Sequence, residues 1–231
     1  MRAAPTEPQR GSAMSALSLA DPSERDDLGA FTARVVRLEQ TALVRLHSRG
    51  DKLTAWAATP FDVLATRSVR GTCEPAELTV PAQSLLTSLA VERGETVDLG
   101  PGMGLWDGEV PPADGWALVD DVPAAELEKL TERGLALARE HAGPLGPPAS
   151  LLDQTVLTVD NGSGPPVRIP MRCLFALSGM GFLGGADTGA ESGTDGVPVV
   201  RVSATGSWLR IDARFGAVVR RRVTALPLFA S

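Results

Sequence analysis

The sequence predicts an α+β fold of antiparallel sheets with helices packed on one side, open to division into two similar halves. Three observations predict it. Short stretches in which apolar and polar residues alternate, with tight turns between them, read as hairpin strands, as in residues 41–59. Longer stretches, 22–38 and 123–142, repeat apolar residues at helical spacing. Twice, a strand runs through a proline directly into a helix. The segments are Val80-Pro81-Ala82-Gln83-Ser84-Leu85-Leu86 and Ile169-Pro170-Met171-Arg172-Cys173-Leu174-Phe175, and their likeness suggests an internal duplication.

Residues 1–20 are small and polar, include prolines, and are expected to form a disordered tail; Met14 is an alternative start. Asp21-Pro22-Ser23 then supplies cap chemistry for a helix to about Leu38, which buries Leu28, Phe31, Val35 and Leu38. Strands follow over 41–47, 53–59 and 61–69, joined by short turns, and an antiparallel meander is the simplest topology. Glu77 to Val80 is a short strand that passes through Pro81 into a helix carrying Leu85, Leu86 and Leu89. Residues 96–121 are broken by Gly and Pro, with Trp106 and Trp116 as anchors and short strands near Val97 and Trp116. A helix over 123–142 stops at Gly143-Pro144. Beyond the Pro- and Gly-rich connector 145–150 come a hairpin over 155–169, an apolar segment after Pro170 and a glycine-rich flexible loop at 184–196. Strands over 199–204, 208–215 and 217–223 finish the pattern. The expected organisation is a tail at 1–20, a first α+β half at 21–143 and a second at 151–231.

A chain of 231 residues with 43% hydrophobic composition can build a real core. No apolar run reaches the roughly 18 residues of a membrane span, and no secretory signal pattern precedes Met14, so a cytoplasmic location is expected. Two cysteines, Cys73 and Cys173, and two histidines, His47 and His141, all far apart, give neither a disulfide framework nor a zinc-ligand spacing. No metal or cofactor is expected. The net charge of −6 is unevenly spread. Residues 34–70 hold seven basic and three acidic residues, 91–160 hold four and fourteen, and 197–223 hold six arginines against Asp212 alone.

Catalytic patterns fail on their context. Gly179-Met180-Gly181-Phe182-Leu183-Gly184 matches the spacing of a dinucleotide loop, but no helix follows it, and a helix ending at glycines explains the same residues. Asp120 and Asp121 could share a proton or bind Mg²⁺, yet they directly precede a helix start and read as an acidic cap. Together with His141 they define the one enzymatic alternative.

The arginines of the last three strands carry the functional expectation. Arg201, Arg210, Arg214, Arg220 and Arg222 are the candidate binding residues of a non-catalytic binding or assembly protein, which recognises a protein partner or a second copy of itself. Nucleic acid is the alternative ligand, since a guanidinium stripe also suits phosphates; it calls for exposed aromatics among the arginines, and only Trp208 qualifies.

The segment from Gly50-Asp51-Lys52-Leu53-Thr54 through Ala58-Thr59 to Thr79-Val80-Pro81-Ala82 resembles a domain of the bacterial DNA sliding clamp, over some 45 residues. The resemblance implies a clamp-like meander leading through a valine-proline-alanine step into a helix. Clamps line their DNA hole with basic helices. Here the helix after Pro81 has no Lys or Arg before Arg93, and the helix after Pro123 is net acidic, so the resemblance implies fold and not DNA encirclement. Arginine far exceeds lysine and tyrosine is absent, the skew of a GC-rich genome; the chain also resembles an actinobacterial family to which no activity attaches.

Overall fold

The computed structural model describes residues 15–92, 94–103, 106, 108–141, 143, 147–162, 164–184 and 198–222. Residues 1–14 of the expected tail and 185–196 of the expected loop lie outside them. The chain runs β1 (Ser15–Leu19), α1 (Pro22–Leu38), β2 (Leu43–Arg49), β3 (Lys52–Thr59), β4 (Val63–Glu74), β5 (Glu77–Pro81), α2 (Ala82–Val91) and β6 (Thr96–Gly100). It continues through β7 (Ala117–Pro123), α3 (Ala124–His141), α4 (Ala149–Leu152), β8 (Thr155–Val159), β9 (Val167–Pro170), α5 (Met171–Gly179), β10 (Val199–Ala204), β11 (Trp208–Ala213) and β12 (Gly216–Arg221).

The strands form one large antiparallel sheet in the order β5-β2-β3-β4-β12-β11-β10-β7, with β1 joined to β4 and β6 at a corner. β8 and β9 form a separate hairpin. The β4–β12 pair, with Val219 opposite Leu64, joins strands distant in sequence into one sheet. β7, expected with the first half, pairs with β10 along its length, from Val199 opposite Pro123 to Ala204 opposite Ala117.

Both strand-proline-helix junctions form as expected: β5 ends at Pro81 before α2, and β9 ends at Pro170 before α5. Proline loses no hydrogen bond at such a start. The Asp21 carboxylate caps α1 by accepting from the amides of Ser23 and Glu24 at 2.9 and 3.2 Å. At the same end of α1, the guanidinium of Arg25 donates to the carbonyls of Glu92 and Gly94, beside the last turn of α2. The disordered tail expected through residue 20 requires correction. Ser15–Leu19 is a strand, and Leu17 is fully buried, because alternate residues of this short segment face the core beneath the corner. Gly71 permits the crossing, since a Cβ there would stand 2.5 Å from the Ser18 carbonyl oxygen.

The two faces of the sheet differ. Val44, Leu46, Leu53, Ala55, Ala65, Val202, Ile211 and Val218 turn to the helices and share one core with Leu28, Phe31, Leu85, Leu127 and Leu174. On the opposite, outer face a smaller cluster forms around Trp56, Trp208 and Val219, and Leu64, Trp106, Val110 and Trp116 pack on it. The chain between β6 and β7 thus crosses the outer face, and its tryptophans hold it there. No helix among the described residues is long and apolar enough to cross a membrane.

Candidate binding surface

Strand register decides where the five candidate arginines point. Arg210 is opposite Val219 and Ser203, and Arg201 is opposite Asp212 and Asp121, so Arg201 and Arg210 lie on the outer face. Arg220 follows Val219 on β12 and therefore faces the helices. There it reaches Asp62 at 3.4 Å and Asp153 at 3.7 Å, beside Arg172, and its side chain is only 17% exposed. Arg222 donates to the Thr205 carbonyl at 2.9 Å. Arg214, in the β11–β12 turn, lies over the Phe215 ring at 5.1 Å. The structure therefore brings Arg201 and Arg210 together and sets Arg214, Arg220 and Arg222 apart from them.

The outer-face arginines already hold carboxylates. Arg201 meets Asp121 through two bonds of 3.0 and 3.1 Å, which hold the Asp121 carboxyl below and the Arg201 guanidinium above their ordinary values. Arg210 grips Asp212, two residues along its own strand, at 2.6 Å, and lies 6.0 Å above the Trp116 ring. Arg221, which sequence reasoning passed over, sits on the same face, pairs with Glu109 at 2.9 Å and covers the Trp208 ring at 5.5 Å. Its alternation with Arg220 was the available signal.

A cleft of about 400 Å³ opens on this face between the sheet and the 110–116 segment. Arg45, His47 and Thr54 rise from β2 and β3, Arg210 and Trp56 form one wall, and Pro111, Pro112 and Trp116 form the other. Arg49 and Lys52 stand at its hairpin end. Arg45 holds Glu77 at 2.7 Å, His47 lies 3.9 Å from the same carboxylate, and Arg49 reaches Asp114 at 3.5 Å. The sequence shows Arg45 and His47 on one strand face. Trp116 arrives with the 110–116 segment and Arg210 through the β4–β12–β11 pairings, both distant in sequence, which local periodicity does not encode.

The enzymatic alternative is corrected by distance. Asp120 accepts from the Asp121 amide, Asp121 is held by Arg201, and His141 bonds the Leu137 carbonyl at the far end of α3. The helix is 18 residues long and so sets His141 roughly 25 Å from the two acids. Those three side chains do not make one site. Among the described residues no group of His, Cys, Asp and Glu is arranged to hold a metal ion.

Residues 13–108 match a family described as a domain of unknown function (DUF8010), and residues 111–225 match another, also a domain of unknown function (DUF8185). Comparison with curated proteins finds no match. Among solved structures, the polymerase III beta protein of Caulobacter crescentus is similar with a TM-score of 0.55 and 14% identity, over 94% of this chain and 67% of that one. The DNA polymerase sliding clamp of Pseudomonas aeruginosa gives 0.54, 14%, 94% and 67%, and that of Bacillus subtilis 0.54, 12%, 94% and 66%. This chain spans about two thirds of their length. A mixed fold with one large antiparallel sheet and helices on a single side, resembling the bacterial sliding clamp at low identity, is therefore the architecture of this chain.

Proposed function

We propose that this chain is a non-catalytic cytoplasmic binding and assembly protein, and that the outer face of its sheet is the contact surface for an acidic protein partner. The observation that carries the reading is the polar cleft with Arg45, Arg49, Lys52 and Arg210 beside Trp56 and Trp116, next to Arg201 and Arg221, which are more than half exposed. Internal pairing does not exhaust these groups. A guanidinium has five N–H donors, and one already holding a carboxylate still offers donors to a second. Aromatic and arginine side chains together are the usual anchors of protein interfaces. Arg214, over Phe215, and Arg222, bound to the Thr205 carbonyl, stand apart from this surface, and Arg220 acts inside the fold.

Self-association would run through the two ends of the sheet, β5 and β7. Leu118 on β7 is about half exposed, which suits an edge awaiting a strand. We place the division between halves at residues 109–116 rather than at 143–150, because β7 pairs with β10 and the two family matches meet there. For the alternative ligand, nucleic acid, the helices offer little charge: α2 has no basic residue, and α3 carries Glu126, Glu128, Glu132 and Glu140 against Lys129, Arg133 and Arg139.

The test is fluorescence anisotropy with a labelled glutamate-rich peptide and a labelled DNA duplex over a range of salt. Binding of the peptide, weakened at least about tenfold by Arg49→Glu with Lys52→Glu, supports the reading. Binding of the duplex alone, with a steep salt slope, supports the alternative.

A further inference from the structure

The hairpin end of the polar cleft differs chemically from the rest of it. On the outer face of β2 and β3, Arg49 stands opposite Lys52 and His47 opposite Thr54. Thr54 in turn stands opposite Ser68 of β4, and all five side chains line the cleft. The hydroxyls of Thr54 and Ser68 lie 3.1 Å apart and share one hydrogen bond. Two hydroxyls bonded to each other use one hydrogen between them, which leaves the second to donate. Lys52 has no carboxylate within ion-pair distance among the described residues, whereas Arg45 and Arg49 hold Glu77 and Asp114 at 2.7 and 3.5 Å. Arg45, Arg49 and Lys52 therefore outweigh Glu77 and Asp114 by one positive charge, before His47 takes a proton.

This donor set exceeds what a side-chain carboxylate can use. A carboxylate brings one negative charge and two oxygens in a plane. A phosphate monoester brings about −1.5 to −2 at neutral pH and three terminal oxygens. An ammonium, a guanidinium, an imidazole and a hydroxyl on adjacent strands approach from several directions, which suits the tetrahedral group better.

We propose that this end of the cleft is a subsite for a single phosphoserine or phosphothreonine within the acidic partner segment. Lys52 and Arg49 neutralise the phosphoryl group, and His47 and Thr54 donate to its oxygens. Neighbouring acidic residues of the segment run on toward Arg45 and Arg210. The subsite rests on the reading of the cleft as the contact surface and gives that surface a specificity. A nucleic-acid strand fits it less well. Duplex DNA carries a charge about every 1.7 Å along its axis, and the exposed carboxylates of Glu77 and Asp114 would meet the phosphates beyond the first. A peptide with one phosphoryl group avoids them and can lay its chain against Pro111, Pro112 and Trp116.

Fluorescence anisotropy with the full chain tests it, using labelled glutamate-rich peptides that carry serine, glutamate or phosphoserine at one central residue. The phosphoserine peptide is expected to bind at least about tenfold tighter than either of the others. Thr54→Val with Ser68→Ala removes both hydroxyls without altering charge. It is expected to cut that preference about fivefold and to leave the serine peptide within about twofold of its parent affinity. Equal binding of the three peptides would overturn the subsite and leave the acidic-partner reading standing, whereas binding of none would overturn both. A preference untouched by Thr54→Val with Ser68→Ala would place the phosphoryl group elsewhere and overturn the assignment. Displacement of the phosphopeptide by an equimolar DNA duplex would also overturn it, by giving this end of the cleft to nucleic acid.

Discussion

Phe31 of α1 and Phe182, just beyond α5, stack with ring centroids 6.4 Å apart and an angle of 15° between planes. Both are fully buried, and they tie the first helix of the chain to the end of the last. Gly216 at the start of β12 exists for this contact: a Cβ there would stand 2.5 Å from the Phe182 ring. Gly216→Ala is expected to cost about 2 kcal/mol by overpacking. Phe182→Ala is expected to cost about 4 kcal/mol. In the double variant the alanine at 216 has room, so the combined loss is smaller than the sum of the two single losses. Urea unfolding measures all three, and strict additivity would show that the contact does not operate.

Arg172 is the one charged residue of the otherwise mostly apolar helix α5. It donates to the Asp153 carboxylate at 2.5 and 3.0 Å and to the Phe61 carbonyl at 2.8 Å, and so ties α5 to the β3–β4 turn. Arg172→Met leaves these acceptors without their donor and is expected to cost about 3 kcal/mol. The exposed Arg139→Met should stay within about 0.5 kcal/mol of the parent. Equal effects in thermal or urea unfolding would refute the assignment.

The outline of the fold was legible wherever a period stayed local. The cap at Asp21, the β2–β3 hairpin, the long helix α3 and the three final strands follow from spacing and turn residues. β1 was hidden because five residues, Ser-Ala-Leu-Ser-Leu, carry a faint alternation beside a polar stretch. Arg220 shows the other limit. Its parity with Arg222 was readable, but its position opposite to Arg210 follows only from the pairing of Arg210 with Val219, a register set by long-range packing. The cleft at Arg45 and His47 was half visible for the same reason.

Burial drives the Cys173 thiol up to about 12 and raises Cys73 as well. Neither is a nucleophile in the folded chain. A thiol reagent at neutral pH is expected to label no cysteine of the native protein quickly and both after denaturation. Rapid labelling of Cys173 before unfolding would contradict its place in the core.

Asp21 and Asp121 are both held below the ordinary carboxylate range, Asp21 chiefly by the Ser23 hydroxyl and the Glu24 amide, Asp121 chiefly by Arg201. The unfolded chain therefore takes up their protons first as pH falls. Their contribution is complete above the ordinary carboxylate range and is lost as pH drops through the lowered values. Asp21→Asn retains a capping side chain without the charge, so its melting temperature should fall less steeply on acidification than that of the parent. Parallel curves would exclude Asp21 as a source of acid sensitivity.

Nuclear magnetic resonance mapping with a glutamate-rich peptide tests the outer-face reading most directly. Titration should move signals of Arg45, Lys52, Arg201 and Arg210 and leave the exposed side of α3 unchanged. Shifts confined to α3, or none at saturating peptide, would contradict it.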